Sequence, residues 1–313
     1  MKPLVCKAFF TTSIFSLSAQ KKPKPISPDL FGIFFEDIIY AADGVLYLEL
    51  VQNRSFEYSA TDRKSWHPFT AWEYATQGFG YGNLSLESSA PLHANNPHYV
   101  VLTIEEEGRE GIGLVNSGFD GIVVRAGEQY DFSMFAKQLS PQAVPLSIQL
   151  RSRKGVVYGE VKLTVNNKDW MKYAASITAT QNDDSAAIAV MATGKGKIAM
   201  DMISLFPAKT FKGRKNGLRA DLAQAVADLQ PKFMRFPGGC LVHGDGLGNM
   251  YRWKNTIGPI EQRVAQKNIW NYHQTNGLGY FEYFQFCEDI GAKPLPVVPA
   301  AGIVIALRLR SAG

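Results

Sequence analysis

The chain has 313 residues, 46% of them hydrophobic and 19% charged, and a net charge of +5 at pH 7. Such a length suggests two domains, and such a composition belongs to a globular protein with ample apolar residues for a core. No basic block is longer than KKPKP at residues 21–25, so a nucleic-acid partner is not indicated.

Residues 1–19 read as a secretory signal peptide. A basic start (MKPLVCK) is followed by an apolar run (AFFTTSIFSLS) and Ala19, ahead of polar Gln20. The run is too short to span a bilayer as a helix; the alternative is a buried N-terminal strand. Cleavage after Ala19 removes Lys2 and Lys7 but no acid, so the net charge falls from +5 to +3. Cys6 would leave with this segment. Cys240 and Cys287 remain, without metal-ligand spacing, and no disulfide framework is expected. The histidines (His67, His93, His98, His243, His273) are scattered, so no zinc site and no cofactor are expected.

Residues 20–28 form a polar, Pro-rich linker. LFGIFFEDI (30–38) is almost continuously apolar, which suits a parallel strand buried on both faces. VLYLELVQN (45–53) has helix-forming residues near helical spacing. Residues 59–84, rich in Gly, Ser, Thr and aromatics, read as irregular. From 85 to 207 short alternating segments recur between turn residues, the pattern of a β-sandwich or jelly roll. LRADLAQAVADLQ (218–230) places Leu218, Leu222, Ala225, Val226 and Leu229 on one face of a helix that Pro231 ends. KFMRF follows as a strand, then a Gly-rich loop (238–248). GYFEYFQFCEDIG (279–291) reads as a helix stopped by Gly291, and KPLPVV (293–298) as another buried strand. Strand, helix, strand, helix, strand is α/β logic. The expected organisation is an α/β unit (20–84 and 208–298) interrupted by an all-β insertion (85–207), with a divergent tail at 299–313.

In parallel α/β folds, functional residues gather at the carboxyl ends of strands. Glu36 closes the first strand, where burying an unpaired carboxylate would be costly. It either accepts hydrogen bonds from a polyhydroxylated ligand, or caps the following helix or pairs with Arg235. Arg235, inside the second strand, calls for a carboxylate partner. Gly238 and Gly239 let backbone approach a ligand, or simply make a tight turn. Cys240 lies three residues before His243, a weak signal for a thiolate nucleophile and its base. GDGLGN (244–249) lacks the context of a phosphate loop. In the β module, Trp170, Tyr99 and Tyr158 either form a sugar-stacking platform or pack into the core.

LFGIFFEDIIYAADGVLYLELVQNRSFEY, FMRFPGGC, YRWKNTIGP and GLGYFEYFQFCEDIGAKPLPVV together resemble the N-terminal portion of glycoside hydrolase family 51, the α-L-arabinofuranosidases. The resemblance runs from about residue 28 to 298, and the inserted module is similar to family 4/9-type carbohydrate-binding jelly rolls. It implies a (β/α)8 TIM barrel, here with about three strands, interrupted by the sandwich. It implies a retaining mechanism, whose two carboxyl groups stand about 5–5.5 Å apart. By position, Glu36 would hydrogen-bond the arabinofuranose, Arg235 would lie beside the nucleophile, and Cys240 after Gly238 and Gly239 would touch the sugar. The family's acid/base follows an Asn in Gly-Asn-Glu, which this sequence lacks, and its nucleophile lies later still; neither is assigned. The third strand runs into PAAGIVIALRLRSAG where the family carries an Asn-Ala-Gly type turn. His243 and Asn276 stand where the family has a Gly and an acid, and take no roles. The implied protein is an exported arabinofuranosidase, truncated or frameshifted before both catalytic glutamates and inactive alone. Its partners are arabinose-containing plant polysaccharides or oligosaccharides, with no membrane association after signal cleavage and homo-oligomerisation left open. The alternatives are a secreted carbohydrate-binding protein without catalysis, or a β module that only braces the barrel.

Overall fold

The computed structural model describes residues 25–76 and 78–299. The signal-peptide region, and the tail from residue 300 onward, lie outside the described residues.

A parallel three-stranded sheet is formed by Ile33–Phe34, Phe233–Phe236 and Lys293–Pro296, with Phe233–Phe236 in the centre. Ile33 faces Met234, Phe34 faces Arg235, and Arg235 faces Leu295 across the ladders. The helix Tyr280–Ile290 connects the second strand to the third and covers the sheet. Phe236 stacks on Tyr283 at 4.6 Å, and Met234, Leu241, Tyr47 and Phe286 complete this core. Glu282 accepts the Gly279 N–H at 2.9 Å to cap the helix start. Gly291, at φ 69°, ends it in the left-handed conformation that glycine adopts without steric cost.

The flanking strands are not buried on both faces. Only Ile33–Phe34 of residues 30–38 forms regular strand, Phe31 and Phe34 are exposed, and Lys293–Pro296 is exposed throughout. These are the sheet's two edges, and an edge has one neighbour. Lys293 and Val297 donate inward to Lys232 O and Phe236 O. The alternation of the ladder then turns the nitrogens of Pro294 and Pro296 outward, where no N–H is missed.

Residues 45–53 are not helical. Leu50 N–H donates to Leu205 O, in the last strand of the β module, at 2.9 Å. Glu49 is buried and accepts from Leu205 N–H at 2.9 Å, Ser204 Oγ at 2.5 Å and Arg54 at 3.3 Å. Pairing across the junction satisfies this backbone, and tertiary context overrides helix propensity. The predicted helix at 218–230 is Ala220–Asp228. Its buried centre is Ala223, packed with Leu222, Val226 and Ala227, while Ala225 and Leu229 face solvent. Leu218 precedes the helix and bridges Tyr47 instead.

The β module is a sandwich of antiparallel five- and six-stranded sheets. It takes in Trp72–Thr76 and Tyr81–Glu87, so the stretch read as irregular contributes two strands. Leu102, Phe132, Ile148, Ile188 and Ile198 fill the space between the sheets. The final strand, Gly196–Pro207, bulges between Asp201 and Ser204, and there Ile203 N–H leaves the sandwich ladder to pair with Arg54 O. The bulge is the socket for residues 49–54. No helix among the described residues is long and apolar enough to cross a membrane.

Candidate active site

Phe35 N–H donates to Arg235 O at 2.9 Å, so the first strand delivers Glu36 beside the end of the second. Glu36 Oε1 accepts the Leu241 N–H at 2.9 Å. Glu36 thus caps the short turn Cys240–His243, a partner different from the following helix and from Arg235, and no Glu36–Arg235 ion pair exists among the described residues. Gly238 is required here. It sits at φ +119°, and a Cβ on it would lie 2.3 Å from Glu36 Cδ. Gly239 is looser, since its Cβ would lie 3.4 Å from Arg235 Nη2.

The half-buried Arg235 guanidinium lies 4.4 Å over the Phe34 ring. It makes no ion pair among the described residues, so the carboxylate that its position calls for is not supplied by them. Cys240 is a free, exposed thiol. His243 Nδ1 donates to Gly244 O at 2.6 Å, and no hydrogen bond joins it to Cys240, so a Cys–His pair is not formed. Four of the five predicted site residues, Glu36, Arg235, Gly238 and Gly239, thus converge through direct approaches. Cys240 opens the turn that Glu36 caps.

Next to Glu36 lies a polar cluster on which sequence reasoning put no weight. Asp37 is fully buried. Its Oδ1 accepts Ala42 N–H at 2.9 Å and the Tyr272 hydroxyl at 3.2 Å, and that hydroxyl also donates to Asp37 O at 2.6 Å. Burial, and then the neighbouring Asp43, push the Asp37 carboxyl up to about 7. Tyr40 lies 4.2 Å from Tyr272, and Tyr58 stacks on Trp66 at 4.4 Å. Glu-Asp after an apolar run was the available signal for Asp37; NYHQTN offered none for Tyr272.

Trp170, Tyr99 and Tyr158 do not form a shared platform. Trp170 and Tyr99 close around Lys137, at 4.6 and 5.1 Å, and Trp170 Nε1 and Lys137 Nζ both donate to Ala90 O. The Tyr158 hydroxyl is tied to Asp183 at 2.9 Å. A hollow of about 710 Å³ beside the Tyr280–Ile290 helix is walled by Trp253, Tyr280, Phe284 and Val298, and its one carboxylate, Glu282, is held by Arg263 at 2.7 Å. No group of three or more His, Cys, Asp or Glu among the described residues could hold a metal ion.

Comparison with known proteins places these features. Residues 225–308 match the family profile described as Alpha-L-arabinofuranosidase 1 domain, and residues 48–196 that described as Carbohydrate binding domain. The extracellular exo-alpha-L-arabinofuranosidase of Streptomyces chartreusis is 42% identical over 291 residues, covering 89% of this chain and 33% of the relative. Alpha-L-arabinofuranosidase 1 of Arabidopsis thaliana is 34% identical, covering 87% of this chain and 40% of the relative. The solved structure of an arabinose-bound MgGH51 α-L-arabinofuranosidase matches with a TM-score of 0.78 at 30% identity, over 88% of this chain and 45% of that one. The chain therefore spans less than half the length of these relatives.

Proposed function

We propose, because this chain belongs to the family 51 α-L-arabinofuranosidases, that it forms the sugar-holding half of a retaining site for terminal α-L-arabinofuranosyl residues. One observation carries the reading. Glu36 and Leu241, 205 residues apart, meet through a hydrogen bond at the carboxyl ends of two adjacent parallel strands, where α/β enzymes bind their ligands. There Glu36 has lone pairs left for sugar hydroxyls. Gly238 and Gly239 make a floor without side chains, and Cys240 stands exposed at its rim. Arg235 offers a cation that would keep a nearby carboxylate nucleophile ionised.

The substrates are arabinose-containing polysaccharides or oligosaccharides, met outside the cell after removal of residues 1–19. Retaining hydrolysis needs a general acid and a nucleophile. The Gly-Asn-Glu that would supply the acid is not in this sequence, so by itself this chain binds arabinose and does not turn substrate over. The sandwich serves as a brace, a reading favoured by the inward packing of Trp170 and Tyr99 and by the Glu49–Arg54 socket.

Titrating the purified chain with L-arabinose, and assaying it on an aryl α-L-arabinofuranoside, tests this. Saturable binding lost in Glu36→Gln, without turnover, is expected. Absence of binding would refute the sugar site. Turnover abolished by Glu36→Gln would refute the division of labour.

A further inference from the structure

Immediately after Glu36 the backbone turns through an unusual conformation. Ile39 and Tyr40 are consecutive non-glycine residues in the left-handed region, at φ 55° and 58°. That region is disfavoured for a β-branched residue such as isoleucine, and such strain persists only where surrounding structure holds it. Two contacts span this turn. Asp37 Oδ1 takes the Ala42 N–H from its far side at 2.9 Å. The Tyr272 hydroxyl, from the hairpin Gln266–Lys267/His273–Gln274, grips the Asp37 carbonyl at 2.6 Å while its ring lies 4.2 Å from Tyr40.

We propose that Asp37 and Tyr272 form a clasp that holds the strained 38–41 turn and thereby aims the Glu36 carboxylate at Leu241 and the sugar. Both are positioning residues: Tyr272 holds the carbonyl and carboxyl of Asp37, the residue next to Glu36, and acts on Glu36 only through that segment. The aim of Glu36 rests on the sugar-site reading, but the clasp itself does not.

The clasp has a direction in pH. The groups facing the Asp37 carboxyl are Asp43, Tyr272, Tyr40 and Tyr283, and no cation is among them. Asp37 Oδ2 is buried without a hydrogen-bond partner among the described residues. A proton on the carboxyl suits this surrounding and a second buried negative charge beside Asp43 does not, so the clasp loosens as the acid ionises.

Hydrogen exchange of the Leu241 amide reads Glu36 placement with no sugar present. In the full chain, Tyr272→Phe removes the hydroxyl and keeps the ring. Leu241 protection is expected to fall by up to about tenfold, the worth of one lost hydrogen bond, with sandwich amides such as Ile188 and Ile198 unchanged. After correction for intrinsic exchange, Leu241 protection in the unmodified chain is expected to fall as pH rises through neutrality. In Asp37→Asn, which keeps an acceptor but cannot ionise, it is expected to stay level. Unchanged Leu241 protection in Tyr272→Phe would overturn the clasp. So would protection lost equally across the sandwich, or a pH trend that survives Asp37→Asn. L-arabinose titration of the same proteins separates the two readings. If the unmodified chain binds no arabinose, the sugar site fails while the exchange data still decide the clasp.

Discussion

Gly238 offers the sharpest perturbation of the proposed site. Replacing it with alanine does two separable things. The backbone at φ +119° lies where side-chain-bearing residues rarely go, and forcing one there costs about 1–3 kcal/mol. The new methyl would also sit 2.3 Å from Glu36 Cδ and 2.4 Å from Cγ and Oε1. Those atoms end a flexible side chain, so Glu36 swings away and does not jam the fold. The swing breaks its bond to Leu241 N–H, a further cost of about 1.5–3 kcal/mol for a hydrogen bond to a charged group. Gly238→Ala should therefore lower unfolding stability in urea by about 2.5–6 kcal/mol. It should also weaken L-arabinose binding by about 10- to 100-fold, since the carboxylate proposed to receive the sugar has moved. Gly239→Ala is the control. Its φ is −91° and its methyl would meet only Arg235 Nη2, at 3.4 Å, so a loss below about 1 kcal/mol is expected. Equal effects from the two substitutions would show that the loop responds to any added side chain. The specific approach of Gly238 to Glu36 would then explain nothing.

Two further outcomes follow from buried charge. Arg54 and Glu49 pair at 3.3 Å with side chains 3% and 4% exposed, so Arg54→Ala strands a carboxylate at the junction and should cost about 3–5 kcal/mol in urea unfolding, much of which Glu49→Gln/Arg54→Met should restore. Asp37, raised from 3.8 to about 7 in the fold, binds its proton where the unfolded chain has lost it. Folding stability should therefore decline on the order of 4 kcal/mol as pH rises from about 4 to about 7, and level off above. Unfolding curves of Asp37→Asn across that range should lack this component.

How far the sequence could be read depended on whether a signal was local. KFMRF, the Gly291 stop and alternating strands such as Gln129–Gln138 and Val157–Val165 each declare themselves within a few residues, and each is where the pattern puts it. Residues 45–53 misled for the opposite reason. Their spacing is helical, but Glu49, Leu50 and Arg54 find partners on Ser204, Leu205 and Ile203, far along the chain. No window of sequence contains that competition. The apolar run at 30–38 misled in a third way: it encodes burial on two faces, and among the described residues Phe31 and Phe34 are left exposed.

The same distinction explains why Glu36 was legible as an anomaly while its partner was not. A carboxylate at the end of LFGIFF is anomalous on its own, so the anomaly could be seen without knowing its resolution. Capping the following helix and pairing with Arg235 both satisfy it on paper, and the Leu241 N–H that it meets carries no signal of its own in the sequence. What decides is that Gly238 has no side chain. That lets the carboxylate pass over the turn to the Leu241 N–H, which leaves the Arg235 guanidinium on the Phe34 ring without an acid among the described residues. A positive charge so placed is free to act on a carboxylate brought to it. That is the arrangement a nucleophile-stabilising arginine requires, and a Glu36–Arg235 ion pair would have used it up.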